Sequence, residues 1–175
     1  MRKLLSLWMV LVSVQVFGQT ATPTLKSVLL TQLRSTHNKA DWFVPANTAV
    51  AGLTAEQANW KDGSGNHSVG QLVQHLVFWN ERQLNKFLGK EVKDFNGDNN
   101  ETFASVDQAS WETAVKKLDE ILTGLETFVE KADEKTLAAA AGNIANISAH
   151  NAYHTGQIIF VRKEQGSWNS ANGVK

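Results

Sequence analysis

The sequence has no cysteine among its 175 residues. This excludes disulfides, thiolate nucleophiles and sulfur ligands, so any metal must be held by nitrogen and oxygen. It also excludes a bacterial lipoprotein anchor, which needs a cysteine after an apolar leader. Proline occurs only twice, at Pro23 and Pro45, leaving helix open almost everywhere. The net charge is zero and no basic run occurs. Nucleic acid is therefore not expected as the main partner, because phosphate binding needs clustered Lys and Arg. There are no repeats, no low-complexity segments and no strand-like alternation of any length. With 42% hydrophobic and 19% charged residues, the chain suits one globular domain with a real core.

The one long apolar run lies at the start. Arg2 and Lys3 precede Leu4 to Phe17, interrupted only by Ser6, Ser13 and Gln15, the pattern of a secretory signal peptide over residues 1–18. Val16-Phe17-Gly18 places cleavage before Gln19. The run is too short for a membrane span, although an uncleaved anchor is the competing reading. Export to the periplasm or the exterior is thus expected. Of 17 Lys and Arg, 15 remain after residue 18, against 17 Asp and Glu, a net charge of about −2.

Behind a tail over residues 19–24, helical periodicity organises the chain. Thr22 and Pro23 mark a helix start, and Leu25, Val28, Leu29, Leu33, Thr36, Ala40 and Phe43 form a stripe through about residue 44. Pro45 ends or kinks that first helix, and residues 46–52 continue at a changed angle. His37, amid Thr36, Asn38 and Lys39, reads as solvated. Thr54 with Gln57, Ser68 with Gln71 and Ser105 with Gln108 have capping-box spacing. The second opens helix 2, with Val69, Leu72, Val73, Leu76, Gln83, Leu84 and Phe87 as its stripe and Gly89 as its stop. Residues 90–105 read as a long connection. Asp94, Asp98 and Glu101 within it lack the twelve-residue spacing of a calcium loop. Helix 3 carries the clearest stripe, from Trp111 to Ala132, and helix 4 runs from about Asn143 to Gln165 after an alanine-rich approach. Residues 167–175 form a tail, with Trp168 able to fold back. The expected fold is all-α, a four-helix bundle over residues 25–166 with a long crossover between helices 2 and 3.

His150 and His154, four apart on helix 4, stack on one face. With about 100° per residue, they share a ~100° sector with Ile147, Ile158 and Val161, so they look inward. Burying unpartnered imidazole costs on the order of 1 to 3 kcal/mol. A shared metal ion resolves that cost; hydrogen bonds to a backbone carbonyl or buried water are the alternative. His75, on helix 2 at the border of its stripe, is the candidate third ligand. His67, just before that helix, is the weakest.

Ser68-Val69-Gly70-Gln71-Leu72-Val73-Gln74-His75-Leu76 together with His150-Asn151-Ala152-Tyr153-His154-Thr155-Gly156-Gln157-Ile158 resembles the DinB-like (DinB/YfiT) superfamily. Leu53-Thr54-Ala55-Glu56-Gln57-Ala58-Asn59-Trp60-Lys61 is similar to the segment joining helices 1 and 2 in that family. The resemblance implies a divalent metal held by His75, His150 and His154. Characterised relatives include transferases dependent on bacillithiol, mycothiol or glutathione, and Thr155 stands where relatives often carry Arg.

Three imidazoles suit zinc, nickel or iron and leave a position open. One expectation is therefore a metal-dependent hydrolase or thiol-dependent transferase acting on a small molecule. A second is a non-catalytic or stress-related metal-binding bundle, and a third a metal-free bundle with hydrogen-bonded histidines. Asn151 directly after the first histidine, where zincin proteases carry Glu, excludes a protease. Asn80, Asn151, Tyr153 and Gln157 are candidates for orienting ligands or substrate. A homodimer is compatible with the bundle, though no residue requires one.

Overall fold

A computed structural model describes residues 22–174. The signal peptide read over 1–18, and residues 19–21, lie outside the described residues. Among the described residues six α-helices follow in order: α1 (Leu25–His37), α2 (Ala46–Val50), α3 (Ala55–Asn59), α4 (Val69–Phe87), α5 (Gln108–Lys131) and α6 (Glu134–Glu164). No strand occurs among the described residues. The long helices α1, α4, α5 and α6 form the bundle, with α1 and α4 each packed against both α5 and α6. Residues 88–107 make the crossover from α4 to α5 and contain one 3₁₀ turn, Asn99–Thr102. Among the described residues, no helix is long and apolar enough to cross a membrane.

Helix starts follow from side-chain oxygens that satisfy otherwise unpaired backbone N–H groups. Thr54 with Gln57 and Ser68 with Gln71 form the expected capping boxes. Gly89, at φ 70°, supplies the left-handed residue that stops α4 after Leu88. The stripes close on a core that includes Leu33, Leu72, Leu76, Leu118, Ile144 and Ile158.

Four boundaries differ from the sequence reading. The first helix starts after Thr24, whose hydroxyl caps it, not at Pro23, and it ends at His37 rather than near residue 44. Leu25 and Val28 are exposed, so the buried stripe begins at Leu29. His37 itself is buried at 1% exposure, not solvated. Its Nδ1 lies 2.6 Å from Glu126 Oε1 and its Nε2 2.8 Å from Asp119 Oδ1, both on α5. Two carboxylates on the neighbouring helix draw in an imidazole whose own sequence neighbours are polar.

The cap of α5 is Asp107 with Ser110, not Ser105 with Gln108. Val106 is buried beside Gly70 and α3, with Asn59 Oδ1 accepting from its N–H, so the chain turns helical only after it. The alanine-rich approach to helix 4 is already helix. Asp133 caps α6 through the Thr136 N–H, and Leu137 and Ala140 are buried. α6 thus has 31 residues, about 46 Å of rise, and no charged side chain between Lys135 and Arg162.

At the far end of α6, Arg162 is buried at 5% exposure and has no carboxylate partner among the described residues. Its guanidinium donates to the carbonyls of Ala49 (2.7 Å), Ala51 (3.0 Å) and Ser167 (2.9 Å). Those carbonyls include the C-terminal end of α2, where the helix dipole favours a cation. Burial lowers the Arg162 pKa from its ordinary value. Trp168 folds back over the same guanidinium, 5.3 Å from its ring, which fastens the chain after α6.

Candidate metal centre

The helix periods of α4 and α6 bring three histidines together at one point. His75, His150 and His154 each offer a ring nitrogen, all within 4.8 Å of one another. His150 Nε2 stands 3.1 Å from His75 Nε2 and 3.0 Å from His154 Nε2. His75 and His154 are buried and His150 is half-buried. His67 is not among the three. Its ring stacks on Phe103 at 3.8 Å, and Phe103 in turn stacks on His75 at 4.1 Å.

The outer nitrogens of two rings are committed. Thr102 Oγ1 donates to the Asn99 carbonyl at 2.7 Å, so it accepts from His75 Nδ1–H at 2.5 Å. His154 Nδ1–H donates to Gln157 Oε1 at 2.6 Å, and Gln157 Nε2 donates to Tyr153 Oη at 3.3 Å. A neutral imidazole carries one N–H, so His75 and His154 both present bare Nε2 lone pairs to the cluster. His150 can donate a proton to only one of them. At least one close Nε2 pair then has no proton between its nitrogens, a contact that a shared cation satisfies.

Protonation does not supply that cation. Burial, then the neighbouring His154 and His150, push the His75 pKa down to about 3. Burial and His154 push His150 down to about 4. Burial also lowers His154, partly opposed by its bond to Gln157. The cluster is therefore neutral at neutral pH, the state in which imidazole ligates metal. Three nitrogen donors, two of them on rings whose outer nitrogens are hydrogen-bonded, fit a divalent ion.

A reciprocal amide pair braces the two helices beside the site. Asn80 Nδ2 donates to Asn151 Oδ1 at 2.8 Å, and Asn151 Nδ2 donates back to Asn80 Oδ1 at 3.2 Å, with both residues buried. Asn80, Asn151, Tyr153 and Gln157, named from sequence as orienting residues, all lie at or next to the cluster. Thr102 and Phe103 were not named there. They sit on the crossover, distant in sequence and outside any periodic pattern. The Asp98–Asn100 cap of their 3₁₀ turn was the available signal.

The histidines open on a cavity of about 580 Å³ between α4, α6 and the crossover. All three line it, with Trp79, Phe103, Ile147 and Tyr153 as apolar surface and Asn80, Gln83, Asn99, Asn143 and Asn146 as amides. Among the described residues, no Asp, Glu, Lys or Arg lines it.

Residues 46–159, which contain all three histidines, match the family model described as the DinB superfamily. No curated protein and no solved structure matches the chain. The family match spans well over half of the sequence and agrees with the all-helical fold and the histidine cluster: the chain belongs to the DinB superfamily.

Proposed function

We propose that His75, His150 and His154 hold one divalent ion, and that the protein uses it on a small molecule as a metal-dependent hydrolase or transferase. The observation that carries this reading is the cavity of about 580 Å³ onto which all three histidines open. A purely structural ion would be sealed or fully coordinated by the chain. Zinc, nickel and iron suit a three-imidazole donor set. Such an ion supplies Lewis acidity. The chain's own contributions are positional. Thr102 and Gln157 fix the faces of His75 and His154, the Asn80–Asn151 pair sets the spacing of α4 and α6, and the aromatic side chains limit access of water. The apolar leader pattern over residues 1–18 supports an exported site of action.

A second reading, a non-catalytic metal-binding bundle, draws support from one observation. Among the described residues, no carboxylate or lysine lines the cavity to serve as a general base. The two readings separate on turnover. Zinc-loaded protein is assayed for hydrolysis of a neutral activated ester and for coupling of 2-mercaptoethanol to an alkylating electrophile, beside a His75→Ala/His154→Ala variant. Turnover lost in the variant supports the enzyme. Fully metal-loaded protein no faster than the variant supports the non-catalytic bundle.

A further inference from the structure

The chemistry of the cavity wall limits what it can receive. Besides the histidines, its polar groups are all side-chain amides except for the Tyr153 hydroxyl and the Trp79 indole. Several are already paired: Asn80 with Asn151, and Asn99 Oδ1 with Trp79 Nε1 at 3.2 Å. The side-chain amides of Gln83, Asn143 and Asn146 make no hydrogen bond among the described residues and sit on two facing helices, α4 and α6. Each offers an N–H donor and a carbonyl acceptor side by side. Away from the histidines, a ligand carboxylate, phosphate or ammonium would leave water with no counter-charge among the amides, an unfavourable exchange. A hydroxyl both donates and accepts, so neighbouring hydroxyls match such amides, while the ring surfaces of Trp79 and Tyr153 cover the carbon skeleton.

We propose that this cavity binds an uncharged, polyhydroxylated molecule, recognised through Gln83, Asn143 and Asn146, with its reacting group toward the three histidines. The proposal rests on the metal-site reading above and adds the class of ligand. It sets the site apart from one built for a ligand with a second charged group away from the metal, which would call for a lysine, arginine or carboxylate in that part of the wall.

Hydroxamates test it, because the hydroxamate group anchors on a metal while the tail probes the cavity. Calorimetry on the zinc-loaded protein compares acetohydroxamate, gluconohydroxamate with its hydroxylated tail, hexanohydroxamate with an apolar tail, and succinohydroxamate with a carboxylate tail. Gluconohydroxamate is expected to bind at least tenfold tighter than acetohydroxamate and tighter than hexanohydroxamate, and succinohydroxamate no tighter than acetohydroxamate. A Gln83→Leu/Asn143→Leu variant should lose the gluconohydroxamate gain while keeping the acetohydroxamate Kd, which also shows that the variant is folded. Gluconohydroxamate no tighter than acetohydroxamate or hexanohydroxamate, succinohydroxamate the tightest, or a gain that survives in the variant would each overturn the proposal. Acetohydroxamate binding that does not depend on zinc would instead overturn the metal reading, and the proposal with it.

Discussion

Thr102, on the crossover, accepts a hydrogen bond from His75 Nδ1 at 2.5 Å while donating its own proton to the Asn99 carbonyl at 2.7 Å. One hydroxyl thus decides which nitrogen of His75 faces the histidine cluster. The longest connection in the fold is part of the site and not merely a link between helices.

Replacing that hydroxyl isolates its effect. Thr102→Val keeps the shape of the side chain but removes the acceptor. Metal affinity is expected to fall about 10- to 100-fold, as for other partners of metal-bound histidines. Competition against a chromophoric chelator measures it, and an unchanged affinity would show that Thr102 does not orient His75.

The Asn80–Asn151 pair should behave as a unit. Asn151→Ala leaves the buried Asn80 amide short of partners at a cost of about 1 to 3 kcal/mol, and Asn80→Ala does the same in reverse. The double variant should cost less than the two single costs together. Urea unfolding of all four proteins gives the coupling. Simple additivity would mean that the two amides do not depend on each other.

Arg162 makes a different prediction because its partners are carbonyl groups. Arg162→Met removes the charged donor to the Ala49, Ala51 and Ser167 carbonyls, of which the Ala49 bond is buried and the other two half-buried. A loss of about 2 to 4 kcal/mol is expected from charge-assisted bonds of this kind. Chemical denaturation checks it, and a loss below 1 kcal/mol would contradict the clamp.

Acid should weaken the metal-free protein early. Unfolded histidines take up protons near pH 6.5. In the fold, His75 does so only near 3 and His150 near 4. Between those values the unfolded chain binds more protons, so stability falls as the pH drops below about 6.5. Melting temperatures in chelator from pH 7.5 to 4.5 should show this, with a shallower fall in a His75→Asn/His150→Asn variant. Identical slopes would contradict the assignment.

The sequence carried the parts of this account that repeat at helical spacing. His150 and His154 stood out because they lie four apart on a face with Ile147 and Ile158, and His75 because it borders the α4 stripe. Capping oxygens at Thr54 and Ser68 located two helix starts. What sequence did not reveal depends on partners far along the chain. His37 looked solvated among polar neighbours, yet Asp119 and Glu126, some 80 to 90 residues on, bury it. The first turns of α6 were missed because Ala138 to Ala141 give no contrast between faces, and burial there falls on small side chains. Thr102 lies in a polar stretch where nothing local marks one hydroxyl above its neighbours.

The most direct test of the central claim is the metal content of the protein, purified without a polyhistidine tag and analysed by elemental mass spectrometry. About one equivalent of a divalent metal in the parent, and none in a His75→Ala/His154→Ala variant that remains helical by circular dichroism, is the predicted result. No metal in the parent, even after reconstitution with zinc, nickel, manganese or iron, would contradict it and leave a bundle whose three histidines are held by hydrogen bonds alone.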